Sequence, residues 1–229
     1  MAYGVICDTV LLSLGIPPRL SSASLHVSEV CTTGVSGLSH FTFRNVKKEY
    51  FFRLLIPGVL GGVLGAYLLA DVLDGERIKP LVSCYLLIMG VVILYKAFRQ
   101  PVHKVTDAHL FLSSLGVVEG FCDAIGGGGW GPIVTSTLVA RGNNPRYVIG
   151  SVNATEFFVT TAQSITFFLT VSNIDWWIIL GLVIGGVVAA PFAAYTVRKV
   201  ATRPLMLLVG GLVVTLNLRA LIPYLLRLF

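Results

Sequence analysis

Four consecutive glycines, Gly126 to Gly129, run directly into Trp130-Gly131-Pro132 in the middle of a long apolar segment. A helix does not continue easily through such a run, since each glycine costs about 1 kcal/mol relative to alanine. Inside a bilayer the constraint tightens, because every backbone N–H and C=O freed by the break needs a partner. Irregular backbone at that depth survives only where protein buries it or where it lines a wet cavity. A broken apolar helix therefore marks a candidate transport site. The plainer alternative is a flexible loop joining two helices.

Composition points the same way. Hydrophobic residues make up 55% of the 229 residues and charged residues 12%, with a mean hydropathy of +0.83. Soluble domains carry about 25% charged residues, and several stretches here exceed the roughly 18 apolar residues that mark a spanning helix. The expected fold class is an all-α, polytopic integral membrane protein. The net charge of +6 does not indicate nucleic-acid binding, because the Lys and Arg residues fall in short clusters between apolar segments, as in cytoplasmic loops. Cys7, Cys31, Cys84 and Cys122 lack CxxC or ligand spacing and read as small core residues. No disulfide framework, metal or cofactor is expected.

Apolar segments fall at about 3–14, 20–43, 50–73, 78–98, 109–125, 130–140, 147–170, 174–197 and 204–226. Two halves are related by a constant offset of 127: Gly4 pairs with Gly131, Gly15 with Gly142, Pro18 with Pro145, Arg19 with Arg146, Ser24 with Ser151 and Glu29 with Glu156. His26 and Ser28 fall opposite Asn153 and Thr155. Matches of Leu or Val would be cheap in so apolar a chain, whereas gapless matches of Gly, Pro, Arg and Glu indicate an internal repeat. The expected organisation is a first repeat over 1–98, a cytoplasmic linker over 99–108 and a second repeat over 109–229.

Charge orients the halves. The first loop of the first half holds Arg44, Lys47 and Lys48, while its second-half equivalent around Asn173–Trp176 has no Lys or Arg. The next loops reverse this: Arg77 and Lys79 share theirs with Asp71, Asp74 and Glu76, against Arg198, Lys199 and Arg203. A flipped pattern is what an inverted-topology repeat requires. If 109–140 is a re-entrant hairpin with the glycines at its tip, Lys and Arg divide eleven cytoplasmic to five outside, with Arg53 inside a helix. If it crosses once as a broken helix, the division is eight to eight. The positive-inside rule favours the hairpin, with the basic loops cytoplasmic in a bacterial-type plasma membrane. Met1-Ala2-Tyr3-Gly4 aligns with Gly128-Gly129-Trp130-Gly131, so the first half lacks a counterpart of 109–127. The expectation is a late start, from a shortened chain or a misassigned start codon, rather than a fold that tolerates half a hairpin.

The stretch Gly116…Glu119-Gly120-Phe121-Cys122-Asp123-Ala124-Ile125-Gly126-Gly127-Gly128-Gly129-Trp130-Gly131-Pro132, with Asn144-Pro145 and Gly150-Ser151, resembles the TauE/SafE sulfite exporter family. So do Gly15-Ile16-Pro17-Pro18 with Ser22-Ala23-Ser24, and Ile56-Pro57-Gly58-Val59-Leu60-Gly61-Gly62…Gly65-Ala66. The resemblance covers essentially the whole chain. It implies a membrane transporter of sulfite, sulfoacetate or another small organosulfur anion, and does not fix the substrate.

A small oxyanion needs hydrogen-bond donors and positive potential, and helix N-termini supply both. The candidate substrate site is Gly126, Gly127, Gly128, Gly129, Trp130 and Gly131, with Tyr3 and Gly4 as repeat mates, and the polar stripe of Ser24, His26, Ser151 and Asn153, to which Thr155 also belongs. Hydroxyls of Thr135, Ser136, Thr137 and Thr9 are further candidates, while packing is the alternative for Trp130. Ionisable groups in apolar segments are functional candidates by default. Glu29 and Glu156 are repeat mates, and Glu119 and Asp123 are four apart on one helix face. All four are candidate proton-coupling groups, since a carboxylate beside an anion repels it unless protonated; structural contacts to backbone amides or to Arg19 and Arg146 are the alternative. Ser24-x-His26 invites a nucleophile reading, but residues two apart on a helix do not face each other, and the second half has no matching His. The expectation is a secondary transporter embedded in lipid, moving a small sulfur anion outward, with a homo-oligomer allowed. An anion channel, an intramembrane enzyme and a non-transporting accessory subunit are the rival readings.

Overall fold

A computed structural model of the chain describes residues 3–73, 75–98, 109–141, 143–172, 174–199 and 202–226. Among them the secondary structure is entirely helical: α1 (Tyr3–Ser13), α2 (Pro18–Thr42), α3 (Lys48–Tyr67), α4 (Gly75–Ala97), α5 (His109–Gly126), α6 (Thr135–Ala140), α7 (Pro145–Thr170), α8 (Trp176–Lys199) and α9 (Thr202–Leu225). π-helical turns extend α3 over Leu68–Val72 and lead into α6 over Trp130–Val134. The proposed linker 99–108 lies outside the described residues.

Local sequence explains where the longest helices start. Pro18 and Pro145 each occupy the first turn, where a fixed φ suits the helix and the missing N–H removes no bond. Asn144 adds a cap, its side chain accepting the Arg146 N–H at 3.0 Å. The helix starts fall near the offset of the expected repeat: Tyr3 and Trp130, Pro18 and Pro145, and Gly75 and Thr202 differ by 127, while Lys48 and Trp176 differ by 128.

Packing shows how the halves meet. Gly34 of α2 faces Phe157 of α7 and Gly37 faces Ala154, so these two helices run antiparallel. Gly90 of α4 faces Val213 and Val214, and Gly210 of α9 faces Leu94, so that pair is antiparallel as well. In contrast, α3 runs parallel to α5, with Gly58 and Gly62 against Gly120 and Gly65 against Phe121 and Ala124. The glycine face of α3 is thus consumed within the protomer, against α5 and against Val159 and Gln163 of α7.

One end of the bundle gathers the basic residues. The Lys47 N–H donates to Ser151 Oγ at 2.8 Å, and Arg146 donates to Asn45 Oδ1 at 2.5 Å and to the Phe43 carbonyl at 3.2 Å. Tyr50 donates to Asn143 at 2.7 Å, and the Arg141 guanidinium lies 4.1 Å from the centre of the Phe111 ring. Arg141, just beyond α6, thus lies against a residue of the first turn of α5.

The exterior is apolar and the interior partly polar. Leu169, Leu110 and Trp177 are each more than 80% exposed, while Ser21, Ser22, Ser24, His26, Ser28, Ser151, Thr155 and Gln163 are fully buried. That distribution inverts the one water imposes on soluble proteins. By length and composition, two of the described helical stretches qualify as membrane spans, Lys48–Val72 and Pro80–Ala97. Helices α2 and α7 carry the buried hydroxyls, His26, the buried Glu29 and the half-buried Glu156, which lower their apolar content.

Candidate functional site

The glycine run ends α5 and turns the chain. Gly127 has φ +61° and Gly128 φ +152°, in the region that side chains with a Cβ rarely adopt. At Gly128 a Cβ would also strike the α1 backbone at Gly4 and Val5, so the break and the start of α1 touch without side chains between them. Tyr85 of α4 donates its hydroxyl to the Gly128 carbonyl at 3.4 Å and closes the other side of the turn.

Where the two short helices meet, a cavity of about 340 Å³ opens. It is lined by Tyr3, Gly4 and Val5 of α1, by Glu29, Thr32, Thr33 and Ser36 of α2, and by Asp123 of α5. Gly128, Gly129, Gly131 and Pro132 of the break, Asn153 and Glu156 of α7, and Gly186 of α8 complete the wall. Three pairs at the repeat offset, Gly4 with Gly131, Val5 with Pro132 and Glu29 with Glu156, face the same space. Among the described lining residues three are carboxylates and none is Lys or Arg.

Asp123 organises the break. Its Oδ1 accepts the Trp130 N–H at 3.0 Å, and its Oδ2 accepts Gln163 Nε2 at 3.2 Å. The same Gln163 amide donates to the Gly120 carbonyl at 3.2 Å, tying α7 to α5. The first free donor of the second short helix is thus held by an internal carboxylate, as a helix N-terminus favours. Behind the wall, His26 Nδ1 lies 3.7 Å from Glu29 Oε2, and Nε2 lies 3.7 Å from Asp123 Oδ2.

The sequence profile of the family described as Sulfite exporter TauE/SafE matches residues 1–220. The chain belongs to that family. It is also 40% identical over 230 residues to the Probable membrane transporter protein YtnM of Bacillus subtilis (strain 168), an alignment covering 97% of this chain and 76% of that protein. No solved structure matches it significantly. As a TauE/SafE protein it is an integral membrane transporter, and transport rather than catalysis is what the family implies.

The candidate residues divide by position in this TauE/SafE chain. Tyr3, Gly4, Gly128, Gly129, Gly131, Asn153, Glu29, Glu156 and Asp123 line the cavity, whereas His26 sits directly behind it. Gly126 and Gly127 shape the turn against Tyr85 and Asp8 without lining the space. Trp130 is fully buried in an apolar cluster with Leu54, Leu112, Val134 and Val159, and its indole N–H reaches the Val152 carbonyl at 3.4 Å. Glu119 stands behind the glycine run, its Oε2 without a hydrogen-bond partner. Ser151 is spent at the basic end on Lys47, and Ser24 Oγ bonds neither His26 nor any other described group. Thr9 accepts from Asn217 at 3.1 Å, and Thr135 and Thr137 stay off the cavity wall. The side chain of Ser136 lies outside the described residues.

Other contributors escaped the sequence reading. Thr32, Thr33 and Ser36 follow Glu29 by three, four and seven positions, the spacing of one helix face, so periodicity alone would have found them. Asp8, which Ser21 contacts, carried the same signal as Glu29, an ionisable residue within an apolar segment, whereas Gln163 and Tyr85 come from tertiary contacts with no local signal.

Proposed function

We propose that this chain is a secondary transporter of a small sulfur oxyanion, sulfite or a related organosulfur anion, and that it works outward by alternating access of one repeat against the other. The observation that carries this reading is the cavity at the meeting of the two short helices, where Glu29 and Glu156, Gly4 and Gly131 face one space from both halves. A site shared by two related halves is the geometry in which rocking one against the other switches exposure. The antiparallel packing of the mates α2 with α7 and α4 with α9 supports inverted repeats. The approach of Arg141 to Phe111 supports a re-entrant 109–140, with Arg44, Lys47, Arg141 and Arg146 at a common cytoplasmic end of a plasma-membrane protein.

The acidic wall sets the energetic problem. An anion entering beside Glu29, Asp123 and Glu156 meets like charge at low dielectric, where repulsion is strong. Protonation of a carboxylate removes it, so proton and anion bind together and flux depends on pH. The Thr32 and Thr33 hydroxyls are spent on the Glu29 carbonyl, while the second N–H of the Asn153 amide and the Gly129 and Gly131 backbone N–H groups offer donors without a fixed cation, which lets the cargo leave.

The test is flux of labelled sulfite in proteoliposomes, with and without a pH gradient, for the wild-type chain and Glu156→Gln. Saturable, gradient-dependent flux that the variant loses is expected. Equal flux in both removes Glu156 from the coupling, and no flux from well-inserted protein excludes sulfite as cargo.

A further inference from the structure

His26 belongs to no wall of the cavity, yet its ring is completely buried between two groups that do. Glu29 comes from the first repeat and Asp123 from the second, and each places a carboxylate oxygen 3.7 Å from a different ring nitrogen. Neither nitrogen has a partner within hydrogen-bond distance among the described residues, the Asp123 backbone also faces the ring, and Phe167 holds the ring edge-on at 5.9 Å between centroids. Buried polar atoms of native proteins are nearly always hydrogen-bonded, so a sub-ångström approach completes this bridge.

Counting donors constrains what the bridge holds. Two ionised carboxylates offer only acceptors, and a neutral imidazole has a single N–H. Both nitrogens are satisfied only if the trio carries an added proton, on the imidazole or on one carboxyl. We infer that His26 is a positioning residue for coupling: it holds a proton between Glu29 and Asp123 and passes protonation from the cavity to the glycine break. This rests on the proton-coupled reading above. Starting from a ring protonated at Nε2, a proton from the cavity adds to Glu29, whose O–H passes it to Nδ1 while the Nε2 proton moves to Asp123. The trio gains one proton, the imidazole stays neutral in its other tautomer, and Asp123 becomes a carboxylic acid. A neutral Asp123 grips the Trp130 N–H less tightly than a carboxylate, which frees a donor beside the cavity-lining Gly129 and Gly131 as the anion arrives. The other titratable groups facing this trio among the described residues are Tyr3, Cys7 and Asp8 of α1, Tyr85 of α4, Glu119 and Cys122 of α5 and Glu156 of α7.

Two readouts test it. In proteoliposomes His26→Gln is expected to lower sulfite flux about tenfold or more and to flatten its dependence on pH, a loss within the usual range of coupling between sites. A variant with the wild-type pH profile overturns the proposal. The second readout needs no cargo. Nitrogen NMR of histidine-labelled full-length protein, with His26 assigned by its loss in His26→Gln, is expected to shift in both Glu29→Gln and Asp123→Asn. A His26 ring that titrates as a free imidazole and ignores both substitutions overturns the bridge. Wild-type protein without sulfite flux would sink the cargo assignment, and the NMR readout then decides the bridge alone.

Discussion

At the scale of single residues, the decisive positions are those where a side chain is either impossible or indispensable. Gly128→Ala combines a φ of +152° with a Cβ driven into the Gly4 and Val5 backbone. The expected cost is about 1–3 kcal/mol from the backbone alone, read as a lower unfolding temperature in detergent together with lost transport. Gly211→Ala is the control: its Cβ meets no described atom within 4 Å, and α9 gains a better helix former. Unchanged or slightly raised stability, by up to about 1 kcal/mol, is expected there. If both alanine variants behave alike, the turn at Gly128 is not the constraint described. Trp130→Ala is expected to cost about 3–5 kcal/mol as a large core truncation, since the ring is fully buried between α3 and α7. A variant that loses flux at full thermal stability would instead place the indole in transport.

At the scale of elements, the α3–α5 pair carries the strictest packing. Gly61 and Gly65 of α3 face the Val117 and Phe121 carbonyls of α5, and Gly120 faces the Gly58 carbonyl in return. Glycines at such crossings let helix backbones approach within the bilayer. Gly120→Val is expected to pry the pair apart and give protein that is lost from the membrane fraction or melts at markedly lower temperature. Gly185→Val on α8 meets no described atom within 4 Å and is expected to be tolerated. Equal tolerance of both would contradict the contact. The break itself is an element property: α5 stops because four glycines offer no helix-stabilising side chain, and Asp123 then accepts the N–H that the new helix exposes at Trp130.

At the scale of the whole molecule, topology is the open prediction. Single cysteines at Asn45 and Asn144, in a background lacking the four native ones, are expected to react with a membrane-impermeant reagent from one side, and a cysteine at Asp71 from the other. Labelling of Asn45 and Asn144 from opposite sides would discard the re-entrant arm. Much was legible before any coordinates. The helical segments form with ends within three residues of those expected, because apolar runs and proline starts are local signals that a bilayer protein obeys strictly. The recurrence of Gly, Pro, Arg and Glu at one offset is likewise a sequence signal, and it motivates the repeat reading. The glycine run announced a break, and intramembrane carboxylates announced a polar interior. What local sequence determines ends there. That His26 stands behind the cavity and not in its wall, that Ser151 serves a loop, that Trp130 is core, and that Gln163 and Tyr85 hold the turn were decided only by tertiary structure. The reason is physical: a polar residue in an apolar helix must find a partner, but which of several partners it meets depends on the crossing of helices far apart in sequence.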